Sequence, residues 1–271
     1  AANFDGSNAC FNILLGCQSG KCVTSGAYNV AIGCGVLMGD AGATTGNCNV
    51  TIGRNAGKCI TSGTNNVFLG VETGFGGAAL TASNNVAFGT FALRGLTSGA
   101  NNFSALPYSG CEISTGSNNI AIGEKAGSSV TSSSQSVFLG HYAGVETTGG
   151  CNIFIGACAG RNVTSYTFNV QIGHMAGCVA NNGYEVFIGY EAGKCMVGDS
   201  SVAIGRQAMM GGSSSTTGND SVAIGMYAGK ETTSGSGNVT IGRDASSCLT
   251  TGSGNVSIGI YAGKCQTTNN N

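Results

Sequence analysis

The chain of 271 residues is poor in charged residues and lacks or nearly lacks several residue types that most globular proteins contain. It has no tryptophan, one proline (Pro107) and two histidines, and only 8% of its residues are charged, with a formal net charge of −1. This composition supplies no positive field to attract nucleic acid, and it contains little that favours helices. The 48 glycines and 41% hydrophobic residues instead predict a turn-rich chain that folds rather than a disordered one.

Long apolar runs are also missing, so the sequence predicts no membrane insertion. The thirteen cysteines show almost no metal-type spacing and indicate a disulfide-permissive, extracellular environment. Three pairs lie 17 residues apart and are candidate disulfides; the alternative is that they are small apolar side chains of the core. The candidate pairs are Cys17 with Cys34, Cys178 with Cys195, and Cys248 with Cys265.

What the chain does contain is one short string written many times, as in "SVAIGMYAG" at 221–229 and "NIAIGEKAG" at 119–127. Fifteen such units follow one another from Asn12 to the last unit, which opens at Asn255. They are spaced by 16 or 17 residues except for three longer steps of 20, 19 and 20. A short fixed period is typical of a solenoid, and 17 residues are too few for a strand-helix-strand unit. The sequence therefore predicts an all-β fold, a parallel β-solenoid or β-roll of about fifteen 17-residue coils.

We number the repeat from its opening residue, usually Asn, which we expect to form a hydrogen-bonded ladder from coil to coil. Position 2 is Val, Ile or Phe and position 4 is apolar in all fifteen units, so both are predicted to fill the core. Position 3 would then face outward, yet it is apolar in ten units. A strand with two apolar faces is covered on both, so we predict contacts between identical chains at this position. The predicted interface residues are Leu14, Phe68, Phe138, Phe154 and Phe187.

The strings "GSNNIAIGEKAG" at 116–127 and "GNDSVAIGMYAG" at 218–229 resemble repeats of two protein classes. These are the heads of trimeric autotransporter adhesins and the tail-fibre-like proteins of phages and viruses. The resemblance implies a non-enzymatic, extended and usually trimeric β-roll used for attachment or as a shaft. We expect a single solenoid domain over residues 12–271, preceded by an N-terminal arm or partial coil at 1–11. Stacking of chains end to end into a filament is the alternative to a trimer.

Catalytic and metal-binding patterns are weak in this sequence. His141 and His174 are solitary, with no neighbouring triad arrangement, and the glycines match no phosphate-binding motif. Aspartate is too rare for a calcium-binding β-roll. We therefore expect no enzyme activity, no cofactor and no metal ion.

Two other features could carry a function. A threonine recurs before the turn glycine, and regular threonine arrays can bind ice, although turn formation and hydroxyl ladders are the alternative roles. This column comprises Thr24, Thr61, Thr97, Thr131, Thr164, Thr250 and Thr267. Longer units expose apolar residues that we interpret as contact loops. These residues are Leu37, Met38, Phe75, Met209 and Met210.

Together these patterns predict an extracellular structural fibre protein, located at a cell surface or on a virion, that acts as a shaft or adhesive segment. Its partners would be identical chains, with a cell-surface receptor or a glycan as a further ligand, and no nucleic acid. An ice-binding solenoid that uses the threonine column is the alternative function.

Overall fold

The structure is a computed structural model that describes residues 9–39, 42–164, 166–180, 183–211 and 218–264. Over these residues it is an all-β solenoid of about 14 turns, with fifteen parallel strands of three residues each and no helix. Each strand lies at positions 2–4 of one repeat, as the period predicts. The strands are β1 (Ile13–Leu15), β2 (Val30–Ile32), β3 (Val50–Ile52), β4 (Val67–Leu69), β5 (Val86–Phe88), β6 (Phe103–Ala105), β7 (Ile120–Ile122), β8 (Val137–Leu139), β9 (Ile153–Ile155), β10 (Val170–Ile172), β11 (Val186–Ile188), β12 (Val202–Ile204), β13 (Val222–Ile224), β14 (Val239–Ile241) and β15 (Val256–Ile258).

The chain divides into two compact units, residues 1–138 and 139–271. In the first unit β1 to β7 pair in chain order, and in the second unit β9 to β15 do the same. Pairing keeps equal repeat positions opposite each other even across a long step, as where Ala203 faces Ala223. The extra residues of a long unit are therefore absorbed outside the strands.

The predicted direction of the strand side chains is wrong. Position 3 points inward, whereas positions 2 and 4 are half-buried or exposed in every strand. Phe68, Phe138, Phe154 and Phe187 are fully buried inside the single chain, and Leu14 in the first coil is half-buried. None of the four phenylalanines can be an interface residue, because each one fills the interior of its own coil.

The opening asparagine explains this direction, because side chains alternate along a strand and positions 1 and 3 share a face. The backbone N–H and the side-chain Nδ2 of Asn66 both donate to Asn49 Oδ1 at 3.0 Å. Nδ2 also donates to the carbonyl oxygen of Ala82 at 2.8 Å. The ladder thus satisfies the buried amide of Asn66, and the expected coil-to-coil hydrogen bonding between asparagines is confirmed.

Position 3 faces position 9 across the interior, and the sizes of the two side chains compensate. A Cβ atom added to Gly74 would lie 2.5 Å from Cδ2 of Phe68, so phenylalanine at position 3 requires glycine at position 9. Where position 9 is large, position 3 is alanine: Ala31 occurs with Leu37, and Ala87 with Leu93. Ala203 and Met209 form a third such pair, and all six residues of these pairs are buried. No coil therefore has a large side chain at both positions, although the sequence at position 3 varies.

The remaining interior positions hold small or aliphatic residues. Position 8 is buried alanine in most coils, for example Ala126 and Ala228, and position 12 holds a buried aliphatic side chain such as Ile60 or Leu96. Position 5 is glycine with φ near +135° in most coils, and a Cβ added to Gly53 would collide with the carbonyl of Gly70. The narrow interior and the close approach of successive coils therefore explain the small residues of the repeat.

Candidate functional surfaces

Two columns of aliphatic side chains form the outer surface of the strands in each unit. We call this surface the Val/Ile face, meaning positions 2 and 4 of the strands. Near the end of the first unit Ile120 and Ile122 are 41% and 37% exposed, and at the end of the second unit Val256 and Ile258 are 65% and 66% exposed. No position 2 or 4 in any of the fifteen units carries a polar or charged residue. Exposed aromatic residues directly precede the opening residue of some units, as where Phe168 stacks on Tyr184 with ring centroids 5.5 Å apart.

The threonine column forms a second surface, at one edge of each coil. Thr24, Thr61, Thr97 and Thr250 are half-buried and Thr131 and Thr164 are exposed, whereas Thr267 lies outside the described residues. The hydroxyl groups donate along the stack, as from Thr97 Oγ1 to the carbonyl oxygen of Ser114 at 3.1 Å and from Thr61 Oγ1 to that of Leu80 at 3.3 Å. These hydroxyl groups hold adjacent coils together, which is the hydroxyl-ladder role given above as an alternative to ice binding.

A third surface, the turn edge, holds the charged and aromatic side chains at positions 6, 7 and 10. All eleven Lys and Arg residues of the chain occupy these three positions. Several are paired with carboxylates: Glu72 lies 3.4 Å from Arg94, and Lys194 donates to Glu191 at 2.7 Å. The hydrogen bonds from Lys194 and Gln207 lower the pKa of Glu191, and the bond to Glu191 raises the pKa of Lys194. Positive side-chain charge in this protein is therefore confined to these three positions of the repeat.

Both histidines also lie on the turn edge, each against an aromatic ring. His174 stacks on Tyr190 at a centroid distance of 5.3 Å, and His141 meets Tyr142 edge to face at 4.3 Å. Over the part of the chain that the structure describes, no group of three His, Cys, Asp or Glu residues could hold a metal ion. A surface pocket of about 250 Å³ opens on the same edge in the first unit, between Phe75, Arg94, Cys111 and Glu112. Burial raises the pKa of the Cys111 thiol there.

The predicted contact loops are only partly exposed. Leu37 and Met209 are buried, because each occupies position 9 and fills the space left by an alanine at position 3. Met38, Phe75 and Met210 are half-buried. Leu37 and Met209 are therefore core residues and cannot be the apolar loop tips that the sequence suggested.

None of the predicted disulfides forms among the residues that the structure describes. Cys17, Cys34, Cys178, Cys195 and Cys248 are all free thiols, and Cys265 lies outside the described residues. Cys17 and Cys34 share position 6 of adjacent coils, and both are exposed. Cys178 and Cys195 stand at positions 10 and 11, one residue out of register.

The sequence analysis did not predict that two polar side chains of the second unit are buried. Glu185 takes the ladder position of asparagine, and Gln171 takes position 3 between Phe154 and Phe187. Both are fully buried, and neither has a hydrogen-bond partner for its side-chain N or O atoms within the described residues. Burial, with a smaller contribution from Asp199, raises the pKa of Glu185 to about 10. The signal was visible as an acid in a column of asparagine and serine.

Comparisons with protein-family models, with curated proteins and with solved structures find no match for this chain. No helix in the described ranges is long and apolar enough to span a bilayer. The three surfaces described above are therefore the features that bear on function.

Proposed function

We propose that this chain is a non-enzymatic structural protein of extracellular fibres, in which identical chains associate through their Val/Ile faces. The observation that carries the proposal is the continuous apolar surface on the outside of the strands. Monomeric soluble proteins rarely expose contiguous apolar patches beyond a few hundred Å². Seven strands at a spacing of about 4.8 Å, with two side chains each, already reach that size in one unit. Such a surface is typical of a contact between chains.

The energetics favour the same partner. Covering one partly exposed Val or Ile side chain contributes about 1 kcal/mol. The second unit supplies fourteen such side chains on seven strands, and bringing two proteins together costs about 4 to 15 kcal/mol. A partner that covers only part of one unit would therefore gain little. A second copy of the chain supplies a matching uncharged surface along the entire repeat.

A side-by-side trimer, with the three Val/Ile faces turned toward one another, is the assembly we favour, and end-to-end stacking could extend it into a filament. The resemblance to adhesin heads and tail fibres supports the trimer, the attachment or shaft role and the location at a cell surface or on a virion. The interface differs from the one the sequence suggested, since position 3 is interior and positions 2 and 4 are outward.

Glutamate on the face should separate the chains. We expect the native protein to sediment as an oligomer, and the variant Ile122→Glu with Ile224→Glu to sediment as a folded monomer, because charges would be buried in the contact. Ser62→Glu with Ser132→Glu, at exposed positions away from the face, is the matched control and should leave the oligomer intact. Analytical ultracentrifugation measures mass, and circular dichroism checks the fold. A native monomer at micromolar concentration, or an oligomer unaffected by the glutamates, would contradict the proposal.

Ice binding is the second candidate, and the in-register stacking of the threonine column is the observation that favours it. Such a protein would show thermal hysteresis that is lost on Thr97→Tyr with Thr131→Tyr, because bulky rings would prevent close contact with ice. We expect no hysteresis beyond that of a control protein, since the hydroxyl of Thr97 donates to a backbone carbonyl of the next coil. Clear hysteresis abolished by the tyrosines, and kept in Ser62→Tyr, would establish ice binding instead.

A further inference from the structure

The turn edge of the second unit carries a cluster of cations on tyrosine that occurs twice. In the first copy, Arg206 at position 6 and Lys230 at position 10 lie over the ring of Tyr227 at position 7. The guanidinium carbon of Arg206 is 5.5 Å and Nζ of Lys230 is 5.2 Å from the ring centroid. A lysine and an arginine are thus held against the same ring.

The second copy has the same residue types at the same repeat positions, two coils further along the chain. The guanidinium carbon of Arg243 lies 5.2 Å and Nζ of Lys264 lies 4.7 Å from the ring centroid of Tyr261. Nη2 of Arg243 also donates to the hydroxyl of Tyr261 at 3.3 Å. We call these two clusters together the Arg-Tyr-Lys strip.

The strip has an excess of positive charge. Its four cations are accompanied by two carboxylates of the same edge, Asp244 and Glu231. Asp244 lies 3.8 Å from Nε of Arg243, and Glu231 is exposed. The chain as a whole has a net charge of −1, so the strip is a local positive region on a nearly neutral protein. Contact with a ring restrains each cation at little desolvation cost, which suits recognition of an anion at the surface.

The spacing indicates what kind of anion would fit. Equivalent groups in the two clusters are two rungs apart, about 9.6 Å at the usual strand separation. That is about the length of an extended disaccharide. Phosphates of a nucleic acid strand are much closer, at about 3.4 Å along the axis. Single-stranded nucleic acid would also need aromatic faces for base stacking, but both tyrosine rings are already covered by cations.

We propose that the Arg-Tyr-Lys strip binds an anionic polysaccharide that carries about one negative charge per disaccharide. Each cluster binds one carboxylate or sulfate, and the sugar chain runs parallel to the stacking direction of the coils in this unit. Binding is electrostatic and weakens with salt. This site lies on the turn edge, outside positions 2 and 4, so the proposal does not rest on association through the Val/Ile face.

The test uses the full chain and a fluorescently labelled hyaluronan oligosaccharide of about ten sugars. Hyaluronan is chosen because it has one carboxylate per disaccharide. Fluorescence anisotropy measures the affinity. We expect binding at about 50 mM salt that weakens markedly at about 200 mM, when the screening length shortens. Arg206→Gln with Arg243→Gln should weaken it about tenfold or more. The matched control is Arg54→Gln, which changes an arginine at position 6 of the first unit and should leave the affinity unchanged.

A second variant separates loss of the site from loss of the fold. Asp244→Asn removes the carboxylate beside Arg243 and should tighten binding severalfold, which misfolding cannot do. A neutral chito-oligosaccharide of equal length should not bind. The proposal is overturned if hyaluronan does not bind the native protein, if the double arginine variant binds as well as Arg54→Gln, or if single-stranded DNA of equal charge binds as tightly.

Discussion

Phe68→Ala is expected to lower the free energy of unfolding of the first unit by about 3 to 5 kcal/mol. Phe68 is fully buried at position 3 of β4 and is stacked between Thr51 and Ala87 of the neighbouring strands. The thin interior offers few side chains that could move into the space, so transfer of the ring to water and an unfilled cavity both contribute. Urea unfolding followed by circular dichroism measures the loss, and amide hydrogen exchange of β4 locates it.

Gly74→Leu should restore most of that stability when combined with Phe68→Ala. The natural pairs Ala87 with Leu93 and Ala31 with Leu37 show that the coil accepts alanine at position 3 when position 9 is leucine. The backbone is also compatible, since φ is +54° at Gly74 and 48° at Leu93. The same substitution alone should be strongly destabilising, because a Cβ at Gly74 meets the Phe68 ring at 2.5 Å.

The half-buried Phe75 of the same coil provides the control for this rescue. Phe75→Ala should cost only about 1 kcal/mol, since the ring packs against Lys58 and Arg94 at the surface. Gly74→Leu should not compensate for it. If the losses in unfolding free energy from Phe68→Ala and Gly74→Leu simply add in the double variant, positions 3 and 9 do not share one space.

The period of the repeat was sufficient to predict the strands, their parallel in-register pairing and the asparagine ladder. Each follows from local rules: a 17-residue unit has no room for a helix, and an asparagine repeated at equal spacing can hydrogen-bond to its own copy. The buried alanine of position 8 and the glycine of position 5 have equally local causes in size and backbone freedom, as Ala126 and Gly53 illustrate.

Hydrophobicity could not predict which strand side chains point into the core, because both faces of each strand are apolar. Val67 and Leu69 have larger apolar side chains than Thr51 and Ala87, which flank Phe68 in its column, yet Val67 and Leu69 face outward. Two signals in the sequence did fix the direction. Position 1 is the polar residue of the ladder and shares a face with position 3, and large residues at position 9 occur only with small ones at position 3. Under the proposed function the outward apolar columns are covered by other copies of the chain, whereas an argument from a single chain assigns them to the core.

Glu185 makes the stability of the second unit depend on pH. Its carboxyl group is buried, without a hydrogen-bond partner among the described residues, and its pKa rises from 4.5 to about 10. Between these values the folded chain keeps the proton and the unfolded chain releases it. The stability contributed by the neutral carboxyl is therefore fully present below pH 4.5 and is lost as the pH rises toward 10. The slope is about 1.4 kcal/mol per pH unit, or on the order of 3 kcal/mol between pH 4.5 and 7.

Glu185→Asn should remove this slope and stabilise the second unit at pH 7 by about 2 to 3 kcal/mol. Asparagine is the residue that eleven of the fifteen coils carry at this position, and the backbone N–H here already donates to Asn169 Oδ1 at 3.1 Å. Urea unfolding at a series of pH values between 5 and 9 measures both effects. Glu231→Gln removes an exposed carboxylate of the same unit and should leave the slope in place. If native protein and the Glu185→Asn variant lose stability equally as the pH rises, Glu185 is ionised in the fold, and a partner for its charge must exist within the coil.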